Sequence, residues 1–197
     1  AGYVDFDARG PYLVAIGVDG DNPNVTIVTL IDLIDNVISH TKIYSVGGPY
    51  RVIPISVAFS GDYIYALVMD TSDGPNYVYI FDTTLNIVRY VSLNAGIGDL
   101  ERAEWSDLLV YFTLDGTVYV ADGTGGSIFD VVGSFVPSDT NLVDIAAVYN
   151  DQDGFVYIAA ETGSAIYLYR YDYATAYLEE LQLETFDLSF ESRVPVD

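Results

Sequence analysis

The chain has 197 residues, 51% of them hydrophobic, and no Cys. That length can bury a sizeable core, and the lack of Cys excludes disulfides, thiolate catalysis and Cys-ligated zinc. Seven basic residues face 29 acidic ones, a formal charge of −22, which excludes nucleic acid as a partner and disfavours anionic membrane surfaces.

Read in chain order, the elements are strands in a unit that recurs about every 46 residues. Blade one spans residues 1–46, with strands near 2–7, 12–18, 24–31 and 36–44. Blade two spans 47–93, with strands near 52–59, 63–69, 76–82 and 86–92. Blade three spans 94–135, with strands near 100–105, 108–114, 117–122 and 127–135. Blade four spans 136–183, with strands near 142–149, 155–160, 165–171 and 177–183. The third strands alternate, as in Val118-Tyr119-Val120-Ala121-Asp122 and Ile166-Tyr167-Leu168-Tyr169, and this period of two places successive side chains on opposite sheet faces. Asp115-Gly116, Asp153-Gly154 and Asp73-Gly74-Pro75 mark turns. Residues Ile27 to Ile38 also fit a helical stripe, but the β-branched run Val25-Thr26-Ile27-Val28-Thr29 favours strands, with room for a short helical turn near 31–36. Phe6, Phe59 and Trp105 recur just before the first turn, so Phe59 and Trp105 are expected to be buried at equivalent places.

The predicted fold is therefore all-β: a β-propeller of four antiparallel four-stranded blades over 1–183, with one extra strand in a tail at 184–197. A part of a larger propeller, or a β-sandwich, is the alternative. Phe186, Leu188 and Phe190 in that tail are expected to pair with another chain or with further blades. No apolar run approaches the ~18 residues of a membrane helix, so no membrane insertion is expected. The start, Ala1-Gly2-Tyr3-Val4-Asp5, shows no signal-peptide pattern, so either none existed or it has been removed.

The run Val57-Ala58-Phe59-Ser60-Gly61-Asp62-Tyr63-Ile64-Tyr65, followed by Val78-Tyr79-Ile80-Phe81-Asp82 and Asn86-Ile87-Val88, resembles a YVTN-type propeller repeat. Blade three is similar at Val118-Tyr119-Val120-Ala121-Asp122. Four repeats in this length also resemble hemopexin-like four-bladed propellers, with Val143-Asp144-Ile145-Ala146-Ala147-Val148-Tyr149 similar to their blade opening. The paired cysteines usual in animal members of that family are absent. These resemblances imply a fold and leave function to the site residues.

The catalytic inventory is short. His40 is the only His and falls in an outer strand, far from where a central base would act. Gly123-Thr124-Gly125-Gly126 lacks the Lys and the helix of a phosphate loop. Asp5-Phe6-Asp7, Asp19-Gly20-Asp21 and Asn150-Asp151-Gln152-Asp153-Gly154 place carboxylates two apart. Asp19, Asp21, Asp151 and Asp153 are the candidate metal ligands, with Ca²⁺ the cofactor such hard oxygens suit, although no EF-hand is completed and Asp-Gly turns are ordinary hairpin chemistry. Asn24 opens an N-glycosylation triplet, Asn24-Val25-Thr26. Arg51, Arg102, Asp99 and Glu101 are expected on one face, in loops after the second and fourth strands. The two arginines there would bind a carboxylate or sugar acid, or pair with the acids around them. The 18 Tyr suit half-buried sheet surface, or, clustered at a channel mouth, sugar or protein contact.

The function expected is a non-catalytic, extracellular or surface-associated binding or structural module. It would be a subunit of a larger assembly, with a protein partner or self-assembly through 184–197. An enzyme of the propeller lactonase or glycosidase type, working with central carboxylates, is the alternative. A filament or virion subunit is a third reading.

Overall fold

The computed structural model describes residues 2–72, 76–93, 96–163 and 165–183. It is all-β, with no helix among the described residues. Blade one holds β1 (Gly2–Arg9), β2 (Tyr12–Val18), β3 (Thr26–Asp32) and β4 (Val37–Ile43). Blade two holds β5 (Val52–Ser60), β6 (Tyr63–Asp70), β7 (Asn76–Asp82) and β8 (Ile87–Leu93). Blade three holds β9 (Ile97–Arg102), β10 (Leu108–Thr113), β11 (Val118–Asp122) and β12 (Val131–Phe135). Blade four holds β13 (Leu142–Asn150), β14 (Phe155–Thr162), β15 (Ile166–Asp172) and β16 (Tyr177–Leu183). Each blade is a separate antiparallel sheet in which strands pair in chain order, as hairpin connections dictate. The expected four blades of four strands are therefore present. The tail at 184–197 and the Asp73-Gly74-Pro75 turn lie outside the described residues.

Alternation along each strand gives every blade two apolar faces, and three cores fill the spaces between blades. Val14, Ile16, Val28 and Leu30 of blade one meet Val57, Phe59, Ile64, Ala66, Tyr79 and Phe81 of blade two. Tyr65, Leu67, Val78 and Ile80 on the other face of blade two meet Leu100, Leu109, Tyr111 and Ala121 of blade three. Val110, Phe112, Val118 and Val120 then meet Ile145, Ala147, Val156, Ile158, Ala160, Tyr169 and Tyr171 of blade four. The first strands β1, β5, β9 and β13 pack side by side in that order. No fourth core joins blade four to blade one among the described residues.

One side chain at the end of each third strand explains four turns. Asp32, Asp82, Asp122 and Asp172 each accept, through Oδ1, the backbone N–H two residues on, from Ile34, Thr84, Thr124 and Ala174, all at 2.9 Å. An Asp can bond its own turn in this way, and that bond replaces a ladder partner where the chain must reverse. It also stops the stripe at Ile27–Ile38 from becoming a helix: residues 33–36 are a turn, with Asn36 at φ 54°. Gly116, at φ +85°, fits the expected Asp115-Gly116 hairpin.

One expectation fails. Phe59 is buried as expected, but Trp105 is 82% exposed. Strand β9 ends at Arg102, three residues before Trp105, so Trp105 belongs to the turn that follows. The aromatic repeat misaligned blade three because its first hairpin loop, 103–107, is longer than the Gly61-Asp62 turn of blade two.

Candidate functional site on the inner strands

The inner strands share a built-in irregularity. Each carries a bulge, between Tyr3 and Asp5, Pro54 and Ser56, Ile97 and Asp99, and Leu142 and Asp144. The residue after the bulge is thus Asp5, Ser56, Asp99 or Asp144. A bulge re-aims its side chain, and here it aims it at the next blade. Asp5 Oδ2 accepts the Val57 N–H at 2.7 Å, Ser56 Oγ accepts the Leu100 N–H at 3.1 Å, and Asp99 Oδ2 accepts the Ile145 N–H at 3.4 Å. In every case the donor is the residue following the next blade's own post-bulge residue. One latch is therefore repeated at three successive seams.

A second layer lies two residues further along. Asp7 Oδ2 accepts the Phe59 N–H at 2.7 Å. Arg102, buried, reaches past blade two to Asp7. Its Nε and Nη2 donate to the two Asp7 oxygens at 3.1 and 3.0 Å, and Nη2 also donates to the Ala8 carbonyl at 2.8 Å and to Glu104 at 3.1 Å. This forked pairing is the strong geometry of Arg with carboxylate. Between the two layers sits Glu101. Burial, reinforced by the carboxylates of Asp99, Asp5, Asp7 and Asp144, pushes its pKa up to about 9, so it is neutral at pH 7. Burial and the adjoining Asp144 carboxyl raise Asp99 as well, and burial raises Asp5.

At the mouth of this network, the β9–β10 loop forms a cleft of about 290 Å³ lined by Arg9, Arg102, Trp105, Ser106 and Asp107. Arg9 Nη2 pairs with Asp107 Oδ1 at 2.9 Å. Asp107 also accepts the Gly61 N–H at 3.1 Å through Oδ1 and the Ser60 hydroxyl through its carbonyl, which ties the loop to blade two. Trp105 stands in this cleft at φ +64°, a conformation that costs a bulky residue on the order of 1–3 kcal/mol and clusters at binding sites.

The four candidate ligand-binding residues divide. Asp99, Glu101 and Arg102 come together on β9, which runs Ile97–Arg102 and so starts earlier than the strand expected near 100–105. Arg51 sits exposed just before β5, at the opposite end of the inner strands from Arg102, and its carbonyl accepts from Thr71. The two arginines therefore share no face. The connection before β9 is shorter than the repeat spacing suggested, and this moves Arg102 to the far end of its strand.

The candidate metal ligands hold turns together. Asp19 Oδ2 is 2.6 Å from Lys42 Nζ, and Asp19 Oδ1 accepts the Asp21 N–H. That pairing holds the Asp19 carboxyl below its ordinary value. Asp153 accepts the Tyr157 hydroxyl at 2.7 Å and the Phe155 N–H at 3.0 Å. Asp21 and Asp151 are exposed. No group of three or more His, Asp or Glu is arranged to hold a metal ion among the described residues. Asn24 is exposed in the β2–β3 loop, while the Thr26 hydroxyl of its triplet is buried against the Val52 carbonyl. His40 is exposed on β4, an outer strand.

The latch residues went unread as a set, although positions 5, 56, 99 and 144 recur with nearly the spacing of the strands. Three are Asp and one is Ser, so the signal lies in position and not in residue type.

No family model matches the sequence, and no curated protein matches it. Among solved structures the chain is similar to apo AztD from Citrobacter koseri. The TM-score is 0.58 at 14% identity, with 93% of this chain and 47% of that one covered. The likeness is one of fold, and the chain spans about half the length of that protein.

Proposed function

We propose that this chain is a non-catalytic binding module of an extracellular or surface assembly, and that the Trp105 cleft is its contact face. The observation that carries this reading is the exposed Trp105, held at a strained φ beside Arg9 and Asp107. An aromatic platform flanked by paired polar groups suits a sugar ring or a Pro- or Arg-containing protein segment. The central charges are already spent on structure: Arg102 on Asp7, and Asp5, Asp7 and Asp99 on neighbouring backbones. The acid excess supports a soluble life in cation-rich surroundings, and the blade pattern keeps its likeness to YVTN-type repeats.

Trp105 is the only Trp of the chain, so its fluorescence reports directly on the cleft. Titration with oligosaccharides and with extracellular-matrix or envelope protein fractions is expected to shift and quench that emission. Trp105→Ala should abolish binding and leave the fold intact. Binding that survives Trp105→Ala would reject this face.

Glu101 favours a second reading. A carboxylic acid kept neutral to about pH 9 among other carboxylates has the protonation state of a general acid, in keeping with a propeller lactonase or glycosidase. Turnover of lactones or aryl glycosides that Glu101→Gln abolishes would favour it over the binding module.

A further inference from the structure

The loop that carries Trp105 is fastened to three blades. The Glu104 N–H donates to the Ala147 carbonyl at 2.9 Å, and the Glu104 carbonyl accepts the Tyr149 N–H at 3.0 Å, both on β13. The Ser106 hydroxyl donates to the Ala103 carbonyl at 2.8 Å and accepts the Leu108 N–H at 3.2 Å. The Asp107 carbonyl accepts the Gly123 N–H of blade three at 3.4 Å, besides its bonds to blade two. The exposed Trp105 ring projects from this frame, so little loop ordering would be spent on binding. The polar groups around it are not all in use among the described residues. Arg9 pairs through Nη2 with Asp107, but its Nη1 is buried without a hydrogen-bond partner, a costly state for a cationic donor. Arg102 donates through Nε and Nη2 only, which leaves Nη1 over in a residue that also lines the cleft. The Asp107 carboxylate takes its bonds on Oδ1, which leaves Oδ2 as an acceptor.

We propose that the cleft takes one uronic acid unit, alone or at the end of a short glycan, with its pyranose face on Trp105, its carboxylate on Arg9 beside Arg102, and a ring hydroxyl donating to Asp107. The proposal rests on the reading of the Trp105 cleft as the contact face and names the ligand class. A pyranose brings an apolar face and hydroxyl donors together, so it answers the ring and Asp107 at once. An acidic side chain of a protein would answer only the arginines and would set its charge beside Asp107. A carboxylate is favoured over a neutral sugar because the unused donors are guanidinium nitrogens, whose bonds to a carboxylate are roughly twice as strong as bonds between neutral groups. The sugar acid expected at Arg51 and Arg102 thus meets its two arginines at Arg9 and Arg102. Size and charge limit the ligand to a short one. At about 290 Å³ the cleft is at the small end of ligand pockets. The net charge of −22 repels a long polyanion, while at physiological salt a single carboxylate feels mainly the groups within about 8 Å.

The test is titration of Trp105 emission, at physiological salt with a chelator present, by the methyl glycosides of glucuronic, galacturonic and mannuronic acid, each beside its own methyl ester. Esterification removes the charge and keeps the ring. At least one acid is expected to bind about tenfold or more tightly than its ester, the scale of one charge-assisted hydrogen bond. Arg9→Gln, with unchanged far-UV circular dichroism, should abolish the difference between acid and ester. Calorimetry should show that Trp105→Ala binds neither. Equal binding of acid and ester, lost in Trp105→Ala, overturns the uronic acid and keeps the cleft as the contact face. Binding of neutral oligosaccharides or protein segments at Trp105, with no uronic acid bound, does the same. An acid preference that survives Arg9→Gln, or that needs added Ca²⁺, overturns the role given to the arginines. Uronic acid binding that survives Trp105→Ala rejects the cleft itself.

Discussion

Val57, Leu100 and Ile145 stand at one register on three inner strands, and Phe6 stands at the same register on the fourth. The first three are sealed under a neighbouring blade with their N–H groups latched, while Phe6 faces outward. The register is the same in all four, and the difference lies in whether a described blade packs over the residue. The fold is thus a stack of seams more than a stack of sheets, and each seam combines an apolar core with one hydrogen bond from a bulge.

The largest effect should come from Arg102, which ties blade three to blade one across two seams. Arg102→Ala leaves Asp7 buried without its partner and is expected to cost about 3–5 kcal/mol in urea unfolding. A loss below about 1 kcal/mol would mean that the central pairing is dispensable.

The core comparison is nearly as large. Leu100→Ala should cost about 2–5 kcal/mol by loss of transfer energy and the cavity left behind. Phe6→Ala should change stability by about 0.5 kcal/mol or less, as for exposed positions. Equal costs would erase the distinction between covered and open registers.

A pH series probes the same centre. Glu101 is protonated in the fold up to about pH 9, but in the unfolded chain only to its ordinary 4.5. Between those values the folded state holds the extra proton, so stability declines as pH rises through the window, with Asp99 adding to the decline. Glu101→Gln should flatten the slope. At the acid end the sign reverses. The Thr84 hydroxyl and the Asn86 N–H depress Asp82 to about 2, so its stabilisation is present above 3.8 and fades as pH falls through 2. A midpoint that climbs from pH 5 to 9 would contradict the buried-acid account.

The smallest expected effect is at Trp105. Exposed and at positive φ, it should give a Trp105→Gly variant that is as stable as the parent or gains a few tenths of a kcal/mol, because Gly relieves the strain. A cost above about 2 kcal/mol would show that the side chain supports the core.

Much of this architecture was legible in the sequence. Alternating Val and Tyr, Asp-Gly turns and a repeat near 46 residues place the sixteen strands to within a few residues, because period-two burial is a local property. The errors arose where a non-local fact decides. Trp105 looked like Phe59 because both are aromatics near a strand end, and only the longer 103–107 loop separates them. Arg102 was grouped with Arg51 because the strand was expected near 100–105, which puts Arg102 near its start, whereas β9 begins at Ile97 and ends on Arg102. The latches were hidden because Ser56 and Asp99 do the same work with different side chains. The excess of acids, read as surface charge, is in part turn chemistry: Asp32, Asp82, Asp122 and Asp172 each close an outer hairpin.

Amide hydrogen exchange resolved at Phe6, Val57, Leu100 and Ile145 tests the seam most directly. The seam account predicts that Val57, Leu100 and Ile145 exchange only through global unfolding, and that Phe6 exchanges faster by orders of magnitude. Protection at Phe6 equal to that of the other three, or rapid exchange at Leu100, would contradict it.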